Sequence, residues 1–194
     1  MLDTAIALIA DRRRWKDPRL PLLVAVDGGG GAGKSTLAAS LASAFEQLVI
    51  VHVDDFYRPM HDDIRRGLTP EAAYASLFDW QRLETDVAIP LSEGRPARYQ
   101  RYDWETGNVL PEPLEVAPMG IVVIEGVCSL RPEVRHHWDV SIYVETPTAV
   151  RIARMALRSE NTSSQIGRWE AAEAFYLSAA QPATWADLVV AGVP

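Results

Sequence analysis

The residues with the plainest chemical meaning run from Gly28 to Ser35 and read Gly-Gly-Gly-Gly-Ala-Gly-Lys-Ser. They fit the spacing G-x-x-x-x-G-K-[ST], with an apolar run, Leu22 to Val26, before them and a helix-forming run, Thr36 to Ala42, after them. Backbone N–H groups can converge on phosphate oxygens only where no Cβ blocks the approach, which accounts for Gly28, Gly29, Gly30, Gly31 and Gly33 around Ala32. The helix opening near Gly33 aims its unpaired N–H groups and its positive dipole end at the same anion. Lys34 is placed to reach the β- and γ-phosphates, Ser35 to hold Mg²⁺, and Thr36 to complete the cradle. The stretch implies a site for a nucleoside triphosphate.

Acids at strand ends are the next candidates. Glu125 closes the apolar run Ile121 to Ile124 and precedes Gly126. An acid there can hold Mg²⁺ directly or through water. Asp54 and Asp55 follow another apolar run, Leu48 to Val53. They offer a general base for an acceptor hydroxyl or a further magnesium contact, with Asp54 favoured as the base. Aspartate is also common as a cap for a following turn, which is the plainer role for one of the pair.

Arg151, Arg154 and Arg158 stand at i, i+3 and i+7 and share one helix face, with Arg168 next in the chain. That face could close over a triphosphate, where a well-placed arginine contributes on the order of 10³–10⁵ in rate. The plainer reading is a solvated basic stripe paired with acids such as Glu160. Tyr99, Tyr102 and Trp104, interleaved with Arg98, Arg101 and Asp103, suit a stacking wall for an acceptor ring, although aromatics at such spacing also serve as core. Asp79 is a further candidate ligand for an acceptor hydroxyl. His52 alternates within its strand and reads as structural, and His61, His136 and His137 show no metal-ligand spacing.

These residues must be positioned by alternating strands and helices. Strands are expected over about 22–27, 48–53, 121–126, 140–144 and 187–190. A lead-in helix is expected over 3–14, a second from the glycine loop to about Gln47, and others over 70–79 (Thr69 as cap, Pro70 first), 81–93, 147–158 and 168–180. Residues 96–104 read as a short hairpin or extended excursion, ended by Thr106-Gly107-Asn108 and followed by a proline-rich connection through Pro111, Pro113 and Pro118. This alternation predicts an α/β fold with a doubly wound, mostly parallel sheet. In such a sheet, ligands bind beyond the carboxyl ends of the strands, where the loop and acids above all lie. One domain is expected over 1–194, with an acceptor-site insertion over 56–120 and a lid over about 151–168.

A formal net charge of −7 argues against nucleic-acid or anionic-membrane partners while leaving room for a local basic pocket. No apolar run approaches membrane-span length. Asp3 comes early and Arg12-Arg13-Arg14 follows the apolar residues, the reverse of a secretory signal. The single cysteine, Cys128, is expected to be a buried small residue, in a chain suited to the cytoplasm.

The chain resembles the uridine kinase-like branch of phosphate-loop kinases, a group that also holds pantothenate kinase-type enzymes. The resemblance rests on Gly28 to Ser35, Asp54-Asp55-Phe56-Tyr57-Arg58, Arg98 to Trp104 with its Tyr-Asp-Trp, Val123 to Gly126, Val150 to Arg154, and Pro182 through Val190. It implies a P-loop NTPase fold with a five-stranded parallel sheet, flanking helices and a mobile lid. It also implies ATP as donor, transfer to a small-molecule hydroxyl, and Asp54 as base. Tyr57, Asp55, Asp79, Arg98, Tyr102 and Trp104 are the acceptor-side candidates, and by analogy a homo-oligomer is expected. The chain departs from the pattern twice. Uridine kinases carry a histidine three residues after the aromatic of Tyr-Asp-Phe, and that position here is Gly107; the lid segment Ser159 to Gln165 contains no basic residue.

Three function classes follow. A kinase uses Lys34, Ser35, Glu125, Asp54 and the arginines together. A GTPase-type switch calls for Asn-Lys-x-Asp, and no such tetrapeptide is present. A regulatory protein that kept the fold without the chemistry would have no need of Lys34, Ser35, Asp54 and Glu125 all intact.

Overall fold

The fold was obtained as a computed structural model, which describes residues 2–157 and 163–192. The chain opens with α1 (Leu2–Trp15), β1 (Leu22–Asp27), α2 (Lys34–Ala44) and β2 (Leu48–His52), followed by a 3₁₀ turn over Val53–Phe56. Next come α3 (Asp62–Arg66), α4 (Pro70–Ser76), α5 (Trp80–Leu83), a π-helical turn over Glu84–Ala88 and α6 (Ile89–Ser92). The antiparallel pair β3 (Ala97–Asp103) and β4 (Asn108–Val116) leads into β5 (Ile121–Glu125), a 3₁₀ turn over Arg135–His137 and β6 (Val140–Glu145). The chain continues through α7 (Thr148–Ala156), α8 (Ser163–Ala180), α9 (Pro182–Trp185) and β7 (Leu188–Ala191).

The main sheet has the order β2-β5-β1-β6-β7, and all its pairings are parallel. β1 and β5 are buried on both faces, as their unbroken apolar runs require. Alternation along β1 divides the core. Leu22, Val24 and Val26 face Ala5, Ile9, Leu37 and Leu41 of α1 and α2, whereas Leu23 faces the opposite layer with Leu83, Val87, Leu91 and Tyr176.

The five expected strands are all present, and the differences are local. α2 stops at Ala44 because Gln47 already serves the sheet, its carbonyl accepting from Ile121 N at 2.8 Å. The expected helix over 70–79 ends at Ser76, with Thr69 Oγ1 capping Ala72 N as anticipated. The helix expected over 81–93 is present as a run from Trp80 to Ser92, widened at Glu84–Ala88 just before Pro90, whose ring and missing N–H disrupt the regular ladder. The proline-rich connection is instead the second strand of the ribbon, since a two-stranded pair leaves outward N–H positions that proline can occupy. α3 was not foreseen; five residues are too few to show a helical period. α8 begins at Ser163, earlier than 168. Arg158 and residues 159–162 of the expected lid lie outside the described residues.

The link from β4 into β5 turns at Gly120, which has φ +68°. A Cβ there would stand 2.2 Å from the carbonyl oxygen of Gln47. Gly120→Ala should therefore lower stability by about 2 kcal/mol or more, read as a fall in the urea midpoint without a change in slope.

Candidate active site

The glycine loop leaves central β1 and enters α2, with Gly33 in the left-handed region as the residue before the helix. Lys34 is buried, and its Nζ donates to Gly29 O at 3.0 Å, so the ammonium lies across the loop. Ser35 Oγ donates to Glu125 Oε1 at 3.1 Å. β2 and β5 run in register with His52 opposite Glu125, and His52 Nδ1 lies 2.7 Å from the same carboxylate oxygen. Glu125 is buried; its partners His52, Lys34 and Ser35 outweigh the effect of lost water and hold its pKa below the usual glutamate value.

The 3₁₀ turn after β2 presents the two aspartates differently. Asp55 accepts from Tyr99 Oη at 3.2 Å, and its own carbonyl accepts from Arg82 at 2.9 Å, so it is tied to the ribbon and to α5. Asp54 is exposed, and Lys34, Glu125, His52 and Asp55 lie near enough to act on its charge. Dense protein around it raises its pKa through loss of water, with Glu125 and Asp55 adding and Lys34 and His52 opposing. Ser35 and Glu125, with Asp54 beside them, form a hard oxygen donor set that suits Mg²⁺.

The loop is gripped from the side of α7 and α8. Arg151 Nη1 donates to Gly30 O at 3.1 Å and to Glu173 Oε2 at 2.7 Å, and Glu173 Oε1 accepts from Gly30 N at 2.7 Å. Both side chains are almost fully buried. Arg154 donates to Gly31 O at 3.2 Å. A Cβ at Gly29 would meet Arg151 Nη1 at 2.3 Å, one at Gly30 the sulfur of Met155 at 2.8 Å, and one at Gly31 the carbonyl of Arg151 at 2.6 Å. The run of glycines is thus demanded by neighbouring protein as well as by phosphate, and the Gly30 amide is held by a carboxylate of the chain itself. Arg151 and Arg154, expected over the triphosphate, contact carbonyls of the loop, and Arg151 is buried and not part of a solvated stripe.

Asp27, the last residue of β1, is fully buried. It accepts from Gly28 N at 2.6 Å, Cys128 N at 3.1 Å, Leu130 N at 2.8 Å and the hydroxyl of Tyr176 on α8. Loss of water pushes its pKa up to about 6 against these donors, so it is largely ionised at neutral pH.

An open cavity of about 1220 Å³ lies beside Tyr57, Tyr102, Trp104 and Trp169, with Gly107, Arg65 and Arg168 also on its wall. The Tyr57 ring lies 5.1 Å from Tyr102, 4.6 Å from Trp104 and 5.7 Å from Trp169. Three acceptor-side candidates do not line it, one being Asp55, held by Tyr99. Arg98 is on the exposed side of the ribbon, 3.9 Å from Glu115, its cross-strand partner. Asp79 caps α5 through Arg82 N at 3.1 Å and pairs with Arg58. Sequence reading overlooked Asp27, Glu173, Tyr176 and Trp169, and it took His52 as structural. For His52 the available signal was its place at the end of a parallel strand, level with Glu125.

A family model described as the phosphoribulokinase / uridine kinase family matches residues 23–165. The chain belongs to this family. A uridine kinase from Brevibacillus brevis is 30% identical over 71% of the chain and 66% of its own length. One from Clostridium botulinum is 30% identical over 73% of the chain and 70% of its own length. The chain thus spans roughly two thirds of the length of these curated relatives. A Bacillus stearothermophilus structure described as a possible uridine kinase superposes with TM-score 0.73, 22% identity and coverage of 97% and 98% of the two chains. A candidate fructose transport system kinase from Silicibacter superposes with TM-score 0.72, 26% identity and coverage of 98% of both. Loop, sheet order and relatives agree on an ATP-dependent phosphotransferase of the P-loop kinase type that acts on a small molecule.

The buried Arg151–Glu173 pair generates a test. Arg151→Met leaves Glu173 charged without its partner and should cost about 3–5 kcal/mol in a urea titration. Arg151→Met with Glu173→Leu removes both charges and should recover most of that stability. ATP affinity, read by calorimetric titration, should stay reduced, because the Gly30 peptide has lost both side-chain partners.

Proposed function

We propose that the chain transfers the γ-phosphate of ATP to a hydroxyl of a small, ring-bearing metabolite, with Asp54 as the base. The observation that carries this reading is the meeting of Lys34, Ser35, Glu125 and Asp54 at the mouth of the glycine loop, next to an aromatic-walled cavity. Lys34 and the free loop amides bind the phosphates. Ser35, Glu125 and Asp54 would hold Mg²⁺, which neutralises phosphate charge when bound. Asp54 orients the acceptor hydroxyl and takes its proton as the acceptor oxygen bonds to phosphorus and the bridging oxygen leaves with ADP. Asp55 is tethered to Tyr99, which leaves Asp54 as the exposed carboxylate of the two. Arg151 and Arg154 support the reaction by holding the loop.

Tyr57, Tyr102, Trp104 and Trp169 would receive the acceptor by stacking, which suits a nucleoside or another flat or weakly polar ring. The uridine kinase relatives support a nucleoside, and the Silicibacter neighbour a sugar. The cytoplasm, with its ATP and Mg²⁺, is the compartment that suits this chemistry, and no described helix is long and apolar enough to cross a membrane.

Acceptor-dependent ADP release over a panel of nucleosides, sugars and pantothenate-like compounds tests the reading; release that ignores every acceptor would instead indicate a nucleotide switch. Lys34→Ala should lower kcat/KM for ATP by roughly a hundredfold or more. Asp54→Asn should keep measurable ATP binding while losing transfer, and full activity in this variant would remove Asp54 as base. Because the Asp54 pKa is raised above its ordinary 3.8, kcat/KM should climb with pH through that raised value and level off once the carboxylate is ionised. The climb should be absent from the residual activity of Asp54→Asn.

A further inference from the structure

A second group of ligand-type side chains lies apart from the nucleotide site. Glu84 opens the π-helical turn of the insertion, and His136 and His137 belong to the 3₁₀ turn between β5 and β6. The three donor atoms lie within 4.8 Å of one another. His137 Nε2 is 2.8 Å from Glu84 Oε1, and His136 Nε2 is 4.0 Å from the same oxygen. The imidazoles are sequence neighbours, yet their ring centroids are only 4.0 Å apart and both serve one carboxylate. The neighbouring cation, Arg135, is drawn over Trp185 at 3.8 Å.

We propose that Glu84, His136 and His137 form a site for a divalent transition-metal cation of the Zn²⁺ class. Bonds of about 2.0–2.2 Å to two imidazole nitrogens and a carboxylate oxygen set ligand atoms roughly 3.3 Å apart in a tetrahedral site. The two spacings to Glu84, 2.8 and 4.0 Å, bracket that value, and all three donor atoms lie within 4.8 Å of one another, so side-chain adjustments alone could close the site. The cation would sit between His137 Nε2 and Glu84 Oε1, where their hydrogen bond now lies. Two nitrogen donors favour Zn²⁺ and its transition-metal neighbours over Mg²⁺, whereas Ser35, Glu125 and Asp54 offer only oxygen. His136 is more than half exposed, which leaves an entry path and room for water as a fourth ligand.

The position gives the cation a structural consequence. Arg82, two residues before Glu84, donates to the carbonyl of Asp55. A cation at Glu84 would fasten this part of the insertion to the β5–β6 connection, and so steady the turn that carries Asp54 and Asp55.

Zn²⁺ titration by calorimetry tests the site on the full chain with Mg-ADP present in excess, so that His52, Glu125 and Asp54 are not the zinc ligands measured. One zinc ion per chain is expected, and at a hundredfold excess over Kd the thermal midpoint should rise by roughly 5 °C. His136→Ala changes an exposed side chain, so the fold is kept; this variant and Glu84→Gln should each weaken zinc binding by at least tenfold. His52→Ala should leave it unchanged. Absence of binding below about 100 µM zinc, binding unaffected by His136→Ala and Glu84→Gln, or binding lost in His52→Ala would each overturn the proposal. None of these readouts depends on phosphotransfer.

Discussion

A loop of glycines has no side chains with which to hold itself, so its shape must be imposed from outside. Here Asp27 does much of this. Fully buried, the carboxylate needs a donor at each lone pair it presents, and it finds Gly28 N, Cys128 N, Leu130 N and the Tyr176 hydroxyl. One residue therefore joins the start of the loop, the segment after β5 and helix α8. Arg151 and Glu173 act in the same way two residues further on, gripping the Gly30 peptide by its carbonyl and its N–H. Thr146 completes the frame by donating to Ala32 O. Preorganisation of the phosphate cradle thus depends on buried charge at its back, where removing one partner costs far more than the pair contributes net.

The parallel sheet does the remaining gathering. Registers of neighbouring strands place His52 level with Glu125 and Asp27 level with Tyr143. Residues at the carboxyl ends of β1, β2 and β5 therefore meet without any long connection having to bring them together. The 3₁₀ turn after β2 then gives two adjacent aspartates different surroundings: Asp55 is bonded to Tyr99, and Asp54 is exposed. Lys34 offsets part of the cost of crowding a second carboxylate near Glu125, which keeps Asp54 ionisable.

What could be read from the sequence follows the range of the interactions involved. The strands, the loop and the acids at strand ends rest on local pattern, and all stand where pattern put them. The pairing of Arg151 lay beyond sequence because helical spacing says which residues share a face but not what that face meets; its partner Glu173 is 22 residues away on another helix. Asp27 carried a local hint, a charged residue ending an otherwise apolar strand, but apart from Gly28 its donors come from two distant segments. Pro111 and Pro113 misled for another reason. A two-stranded ribbon tolerates proline that a central strand would not, and composition cannot tell these cases apart.

One backbone angle also shapes the aromatic-walled cavity. Gly107 lines the cavity at the ribbon turn with φ +71°, and its N–H closes the turn on Asp103 O at 2.8 Å. A Cβ there would find ordinary van der Waals space, 3.7 Å from Tyr102 Oη, so room is not the obstacle. The obstacle is the left-handed backbone, which costs a residue with a side chain about 1 kcal/mol or more. A histidine at this point would have to bear that cost in addition to placing its ring. The cavity wall here is backbone and the rings of Tyr102 and Trp104, which suit flat surfaces more readily than particular hydrogen-bonding edges. In the reading proposed above, the same cradle and base would serve a ring-bearing acceptor chosen by shape and stacking across Tyr57 and Trp169.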